Sequence, residues 1–277
     1  MSATSCGRVV FVGAGPGEAD LITLRGAERL REAEVVLFDS LSDPALRKLA
    51  PNARWIDVGK RGLRKLPHVS SGGAESTEQE TINALLVHHA GREGKRVVRL
   101  KGGDPSVFGR LEEELDALRA AGIDSEVVPG VTAALAAAAA MQRPLTRRGT
   151  GRSVSLATAM THDAGLVAGR HAETEVFYMA GKQLAALGRR LLAAGWPAGT
   201  PALAVSRAGW PDELGSDHTV ATLGDATVLH SGRPTVVTVG VGAAPLAGRP
   251  APIDLAAGAA DEPERPAPVH RGRKIPA

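Results

Sequence analysis

Short apolar runs, each cut off by glycine or a charged residue and followed by a stretch of helical spacing, repeat along the first half of the chain. RVVFVGAG leads into DLITLRGAERLREA, with Asp20 placed as a helix N-cap. EVVLFDS leads into DPALRKLA, whose proline suits a first helical position. RWIDVGKR is followed by STEQETINALLVHHAGREG, an amphipathic helix capped by Ser76 or Thr77 and closed near Gly91 and Gly94. RVVRLKGGDPSVFGR then precedes the helix RLEEELDALRAAG, and SEVVPG precedes an alanine-rich helix after Thr132. This alternation predicts an α/β fold with a mostly parallel sheet. Around residues 143–151 the composition turns to Pro, Thr, Arg and Gly, the signature of a boundary. Beyond it SVSLATAM, EVFYMAG, PALAVSRAG and PTVVTVGVG read as strands, and QLAALGRRLLAAG as a helix. From Pro245 the chain has no period, and its Pro, Ala, Gly and Arg content predicts a disordered tail. The predicted layout is an α/β domain over 1–145, a second over 146–244, and the tail over 245–277.

The segment VVRLKGGDPSVFGR breaks its apolar run with bare backbone and one carboxylate, where open α/β sheets bind ligands. The first strand ends in a glycine turn too, but a dinucleotide fingerprint fails there. Its third glycine is due at position 18, which is Glu18, and Pro16 removes a backbone N–H that could face a pyrophosphate. Asp39 ends the second strand and Lys60 follows the third, so both fall on the sheet edge that carries the glycine loop. Taken alone, Asp39 could equally cap the turn DSLSDP. Together with Lys60 and the loop, it makes that edge a site.

Composition narrows the chemistry. The net charge is +3 over 277 residues, so the whole molecule is not built to coat a polyanion. Aromatics make up 3%, too few for the stacking platforms of single-strand nucleic-acid binders. Cys6 is the only cysteine, which rules out an intramolecular disulfide and a cysteine-only zinc site. The eight histidines are scattered, and the adjacent His88 and His89 are expected on different faces of a helix, so no metal site is expected. The start MSATSCGRVV has no signal-peptide pattern, and the longest apolar run, AALAAAAAM, is about half of a bilayer span. A cytoplasmic protein that meets neither membrane nor nucleic acid is expected. Basic residues nevertheless cluster in GKRGLRK and RPLTRRGTGR, which suits a small substrate bearing several carboxylates or phosphates.

VGAGPGEADLITLRG, VLFDSL, VGKR, EQETIN, RVVRLKGGDPSVFGR and EVVPGVTAALAAAA occur in one order at sensible spacing. Together they resemble the tetrapyrrole methylases, from about residue 8 to residue 242 and most strongly up to Thr146. GGDPSVFGR with VGKR resembles the members acting on uroporphyrinogen III more than those acting on later corrin precursors. The resemblance implies two α/β domains of the tetrapyrrole methylase type with the cofactor cleft between them, usually as a homodimer. It implies S-adenosylmethionine as methyl donor, and methylation of two pyrrole carbons to give precorrin-2 through precorrin-1, for sirohaem and cobalamin.

Residue by residue, Pro16, Gly102, Gly103 and Asp104 match the family's cofactor loops, with Val107 as an apolar contact. Thr132 and Ala133 match the pair after PGV, Met179 the methionine of the usual YMG, and Ala208 a small-residue position. Asp39 and Lys60 match the proton acceptor and donor. An acceptor with eight carboxylates would account for the basic runs, with Arg61, Arg64, Arg147, Arg148 and Arg152 as its contacts. Arg147 and Gly149 stand where the family usually has histidine and an acid, and Ala180 where it has glycine. The loop at 62–76 is longer than usual and is expected to act as a lid. A methylase for another tetrapyrrole, or a binding paralogue without turnover, shares most of these motifs.

Overall fold

The computed structural model describes residues 7–59, 78–160 and 168–246. Contacts divide the chain after Pro245, and two five-stranded sheets lie in the first unit. In the first sheet, strands β1 (Arg8–Gly13), β2 (Val35–Phe38), β3 (Arg54–Asp57), β4 (Arg96–Lys101) and β5 (Ser125–Val128) are all parallel, in the order β3-β2-β4-β1-β5. Helices cover both faces, which is why β1 and β2 are apolar along nearly their whole length. Val9 and Phe11 pack with Leu37, Val97 and Leu118 under helices α2 (Glu78–Val87) and α3 (Leu111–Ala120). The alternate residues Val10 and Val12 pack with Leu30, Leu46 and Val98 under α1 (Leu24–Arg31) and the 3-10 turn Pro44–Leu49.

Two caps differ from the sequence reading. Helix α1 starts at Leu24, and Thr23, not Asp20, caps it by accepting the Gly26 N–H at 3.1 Å. Asp20 lies in a separate 3-10 turn, Ala19–Leu21, because the helical spacing of DLITL runs across a bend. Asp43, not Asp39, caps the next turn, accepting the N–H groups of Ala45 and Ala19 through its two oxygens. Asp39 is left for other contacts. Ser76, Thr77 and the loop at 62–76 lie outside the described residues, as does the tail beyond 246.

The second sheet is mixed: β6 (Val154–Thr158) runs parallel to β7 (Thr174–Tyr178), and the rest of the order β6-β7-β10-β8-β9 is antiparallel. Strands β8 (Pro201–Ser206) and β10 (Thr235–Gly240) are apolar. β9 (Leu214–Thr219, LGSDHT) is a polar edge strand with no alternation, so the sequence pattern passes over it. One face packs on α5 (Leu184–Ala193) and Trp196. The other packs on α4, the alanine-rich helix Ala133–Ala140, through Ala134, Ala136 and Ala137 against Val176, Leu203 and Val236. By packing, α4 therefore sides with the second sheet, although the composition changes only after it. Among the described residues, no helix is long and apolar enough to cross a membrane.

A buried polar chain braces this second sheet. Ser206 Oγ meets His230 Nδ1 at 2.6 Å and Thr235 Oγ1 at 2.8 Å, while His230 Nε2 meets Ser216 Oγ at 2.8 Å. Burial pushes His230 below the usual histidine range near 6.5, and the neighbouring His218 and Arg233 add to the shift. A lowered folded-state value means that the unfolded chain binds the proton more readily. Its contribution is therefore complete above about pH 6.5 and is lost as pH falls through the folded value. The stability gap between wild type and His230→Asn should narrow from pH 8 to pH 5 in thermal melts. A gap independent of pH would contradict this.

Candidate active site

β1 and β4 are neighbours, yet α1 leaves β1 over one face of the sheet and α3 leaves β4 over the other. Their carboxyl ends therefore open a crevice, the usual ligand position in such sheets. Across it Gly103 donates to the Gly15 carbonyl at 2.7 Å and Gly15 donates back at 3.3 Å. Gly130 crosses behind them, and a Cβ there would stand 2.3 Å from the Gly103 carbonyl and 2.8 Å from Gly13 Cα. Asp104 ties the loop down, since Oδ1 accepts the Ser106 N–H at 2.8 Å and Oδ2 the Gly130 N–H at 2.9 Å. Each oxygen keeps a second acceptor site for a ligand.

The second sheet closes the crevice from the other side. Trp210 donates its indole N–H to the Pro16 carbonyl at 2.9 Å, and Glu18 N–H meets the Gly209 carbonyl at 2.7 Å. The cavity between them, partly open to solvent, has a volume of about 220 Å³. Every residue expected at the cofactor lines it: Pro16, Gly102, Gly103, Asp104, Val107, Thr132, Ala133, Met179 and Ala208. Phe108, beside Val107 on the loop, lines it as well, and so do Leu41, Tyr178, Arg207 and Trp210, which were not anticipated. Phe108, Met179 and Arg207 are three of the non-glycine residues with left-handed backbones, at φ 54°, 57° and 52°. Such backbone is held by its surroundings and clusters at sites. The Phe108 and Tyr178 rings lie 5.0 Å apart, and Tyr178 Oη bonds Thr132 Oγ1 at 2.8 Å. Burial raises the Tyr178 hydroxyl above its usual range, so it stays neutral.

Beside this cavity lies a hollow of about 270 Å³ that shares Leu41, Gly102, Val107 and Phe108 with it. Asp39, Arg99, Lys101, Gln79 and Arg110 supply its polar lining. Arg99 Nη2 donates to Asp39 Oδ1 at 2.7 Å and Arg99 Nε to Glu114 Oε1 at 3.0 Å. Lys101 Nζ meets Glu114 Oε2 at 2.8 Å. Burial works against the Arg99 guanidinium, but the Asp39 and Glu114 carboxylates outweigh it and hold the charge. Burial lowers Lys101 from the usual lysine range, the Arg99 charge acts the same way, and Glu114 opposes both. Asp39 thus faces the hollow, whereas Lys60, Arg61 and Arg64 lie outside the described residues, which stop at Gly59.

The other arginines divide. Arg147 donates to the main-chain carbonyls of Ala244 and Pro245 and lines a separate hollow with His171 and Trp196. Its guanidinium holds main-chain carbonyls that follow the last strand of the second sheet, and it lines neither of the two cavities above. Arg148 and Arg152 are exposed and line neither cavity. His88 and His89 do not diverge either. The helix ends in a π turn, His88–Arg92, that brings both rings onto the Glu93 carboxylate, at 3.1 and 2.8 Å.

Gly130→Ala tests the crossing. The added methyl meets backbone of both glycine loops, which cannot step aside as a side chain can, so overpacking costs about 1–3 kcal/mol or more. Gly122→Ala is the control, since it has a left-handed φ of 67° but open space around it. Ligand affinity in the cavity should drop with Gly130→Ala and hold with Gly122→Ala; equal affinities would mean that the crossing does not shape the cavity.

The sequence profile of the tetrapyrrole (corrin/porphyrin) methylases matches residues 8–227. The uroporphyrinogen-III C-methyltransferase of Pseudomonas aeruginosa is 44% identical over 206 residues, 73% of this chain and 80% of that protein. Siroheme synthase 2 of Serratia proteamaculans is 45% identical over 203 residues, but this chain spans only 41% of its length. The Thermus thermophilus uroporphyrin-III C-methyl transferase, solved in complex with S-adenyl homocysteine, superposes with a TM-score of 0.70 at 35% identity, over 84% of this chain and 97% of that one. A match that runs from β1 through β9, together with identity at this level over most of a relative's length, means that the chain belongs to the tetrapyrrole methylases.

Proposed function

We propose that this chain methylates uroporphyrinogen III, using S-adenosylmethionine, at two pyrrole carbons to give precorrin-2 through precorrin-1, a precursor of sirohaem and cobalamin. The observation that carries this reading is the pair of joined hollows. One is walled by glycine backbone and apolar side chains, and the other holds a carboxylate backed by buried cations.

The first hollow fits the donor. Gly102 and Gly103 leave main chain bare, a Cβ at Gly102 would meet only Leu41, and Asp104 offers acceptors for a ribose or an ammonium. When bound, S-adenosylmethionine supplies an activated methyl whose carbon–sulfur bond breaks as the new carbon–carbon bond forms. The protein's part is alignment and removal of water, and alignment can contribute about 7–11 kcal/mol. Phe108 and Leu41, shared by both hollows, line the junction where the acceptor carbon would meet the methyl. Methylation makes the acceptor carbon quaternary and leaves the ring system cationic; Asp39 takes the proton that this ring system must then lose, and Lys60, the residue after Gly59, is assigned the donor role. Arg148 and Arg152, with Arg61 and Arg64, remain the proposed contacts to acceptor carboxylates. The enzyme is proposed to work as a homodimer in the cytoplasm, the first of which light scattering tests directly.

Incubation with uroporphyrinogen III and S-adenosylmethionine should give a product heavier by two CH2 units, one methyl gained and one proton lost at each step, together with S-adenosylhomocysteine. An unchanged tetrapyrrole mass would overturn the reading.

A further inference from the structure

The central strand β4 buries two cations in its sheet. Arg99 and Lys101 point to the same face as Val97, beneath α2 and α3, and each side chain is only 3% exposed. Taking charge out of water is costly unless it is paired and hydrogen-bonded. Glu114, fully buried on α3, accepts Arg99 through one oxygen and Lys101 through the other. One buried carboxylate thus serves two cations, and the charges balance only when Asp39 is counted as the second anion.

The direction of these contacts matters more than their sum. Arg99 is a planar fork: Nε is fixed by Glu114, Nη1 donates to the Leu100 carbonyl at 3.1 Å, and Nη2 emerges at Asp39. Gln79 closes the far side, its amide reaching Glu114 at 3.4 Å and Asn83 at 2.9 Å. Asp39 itself is about a third exposed on the rim of the hollow. Arg99 takes Oδ1, and Oδ2 has no hydrogen-bond partner among the described residues. Apolar residues of similar volume often stabilise a core as well as or better than such a set. A buried network that ends on a carboxylate with one oxygen unpartnered among the described residues is therefore better suited to aiming that oxygen than to holding the sheet together.

We propose that Arg99, anchored by Glu114, is a positioning residue that fixes the Asp39 carboxylate with Oδ2 directed into the acceptor hollow. Lys101 completes the anchor by holding the second Glu114 oxygen. This rests on the reading of Asp39 as the group that takes the proton from the methylated ring.

Two variants test it. Arg99→Lys keeps the cation but loses the fork. The triple variant Arg99→Met, Lys101→Met, Glu114→Leu removes every buried charge and leaves Asp39 untethered in an apolar setting. Both should bind S-adenosylhomocysteine as wild type does, which also reports folding, with KM for uroporphyrinogen III little changed. Turnover should fall about 100-fold, the scale of a misplacement of roughly 1 Å. In an Asp39→Asn background, adding Arg99→Lys should cost nothing further, because the two act as one unit. Wild-type kcat in either ligand-binding variant overturns the proposal, as does a full additional loss in the Asp39→Asn background. Undiminished turnover by Asp39→Asn alone would instead overturn the role of Asp39 itself, so the two failures are told apart.

Discussion

Asp39→Asn is expected to lower turnover of uroporphyrinogen III by about 10²- to 10⁴-fold, the usual contribution of a positioned acid–base group, with little change in S-adenosylhomocysteine affinity. The substitution is nearly isosteric, and the amide oxygen can still accept from Arg99 Nη2, so the side chain stays where it is. What it loses is the charge and the ability to take a proton. Asp39 lines the polar hollow and not the glycine-walled cavity proposed for the cofactor, and the two meet through Leu41, Gly102, Val107 and Phe108. Ligand binding on the donor side should therefore be spared. Single-turnover methyl transfer followed by mass spectrometry, beside calorimetry with S-adenosylhomocysteine, measures both. A variant with at least a third of wild-type turnover would remove Asp39 from the chemistry, and one that also lost the ligand would point to a structural role.

The glycine-walled cavity was legible because its signals are local. An apolar run that stops in glycines marks a strand end, and Gly13, Gly15, Gly102 and Gly103 mark two such ends, which the sheet order makes neighbours. Long-range facts were not legible. VVRLK reads as the end of a strand, and nothing in it shows that Arg99 and Lys101 point inward to Glu114, supplied by the next helix. The left-handed backbone at Phe108, Met179 and Arg207 has no signature in residue type, since bulky side chains ordinarily avoid it. Strand β9 lacks alternation because it sits at an edge, and α4 goes with the second sheet because its alanines pack there. Nor does a basic run show which of its members the fold already employs, as it does Arg147 on main-chain carbonyls.

Glu114→Ala should be the most damaging single substitution to stability, at about 3–5 kcal/mol, because it breaks a buried ion cluster on one side only. Arg99 and Lys101 would remain nearly excluded from water, with Asp39, at the rim, as the remaining carboxylate among their contacts. Neither cation can step out to solvent without leaving a strand paired on both edges, by β1 and by β2. Glu114→Gln should cost less, since its amide can still accept from one cation, though its NH2 faces the other. Adding Lys101→Met to Glu114→Ala should recover part of the loss, because it removes one of the two stranded charges. The surface pair Arg119 and Asp116 provides the contrast: both side chains are mostly exposed, and Asp116→Ala should change stability by no more than about 0.5 kcal/mol. Urea midpoints at constant m-value report these differences. Equal losses for Glu114→Ala and Asp116→Ala would mean that the β4 cations are reached by water in solution. The tether on Asp39 would then be no firmer than a surface ion pair.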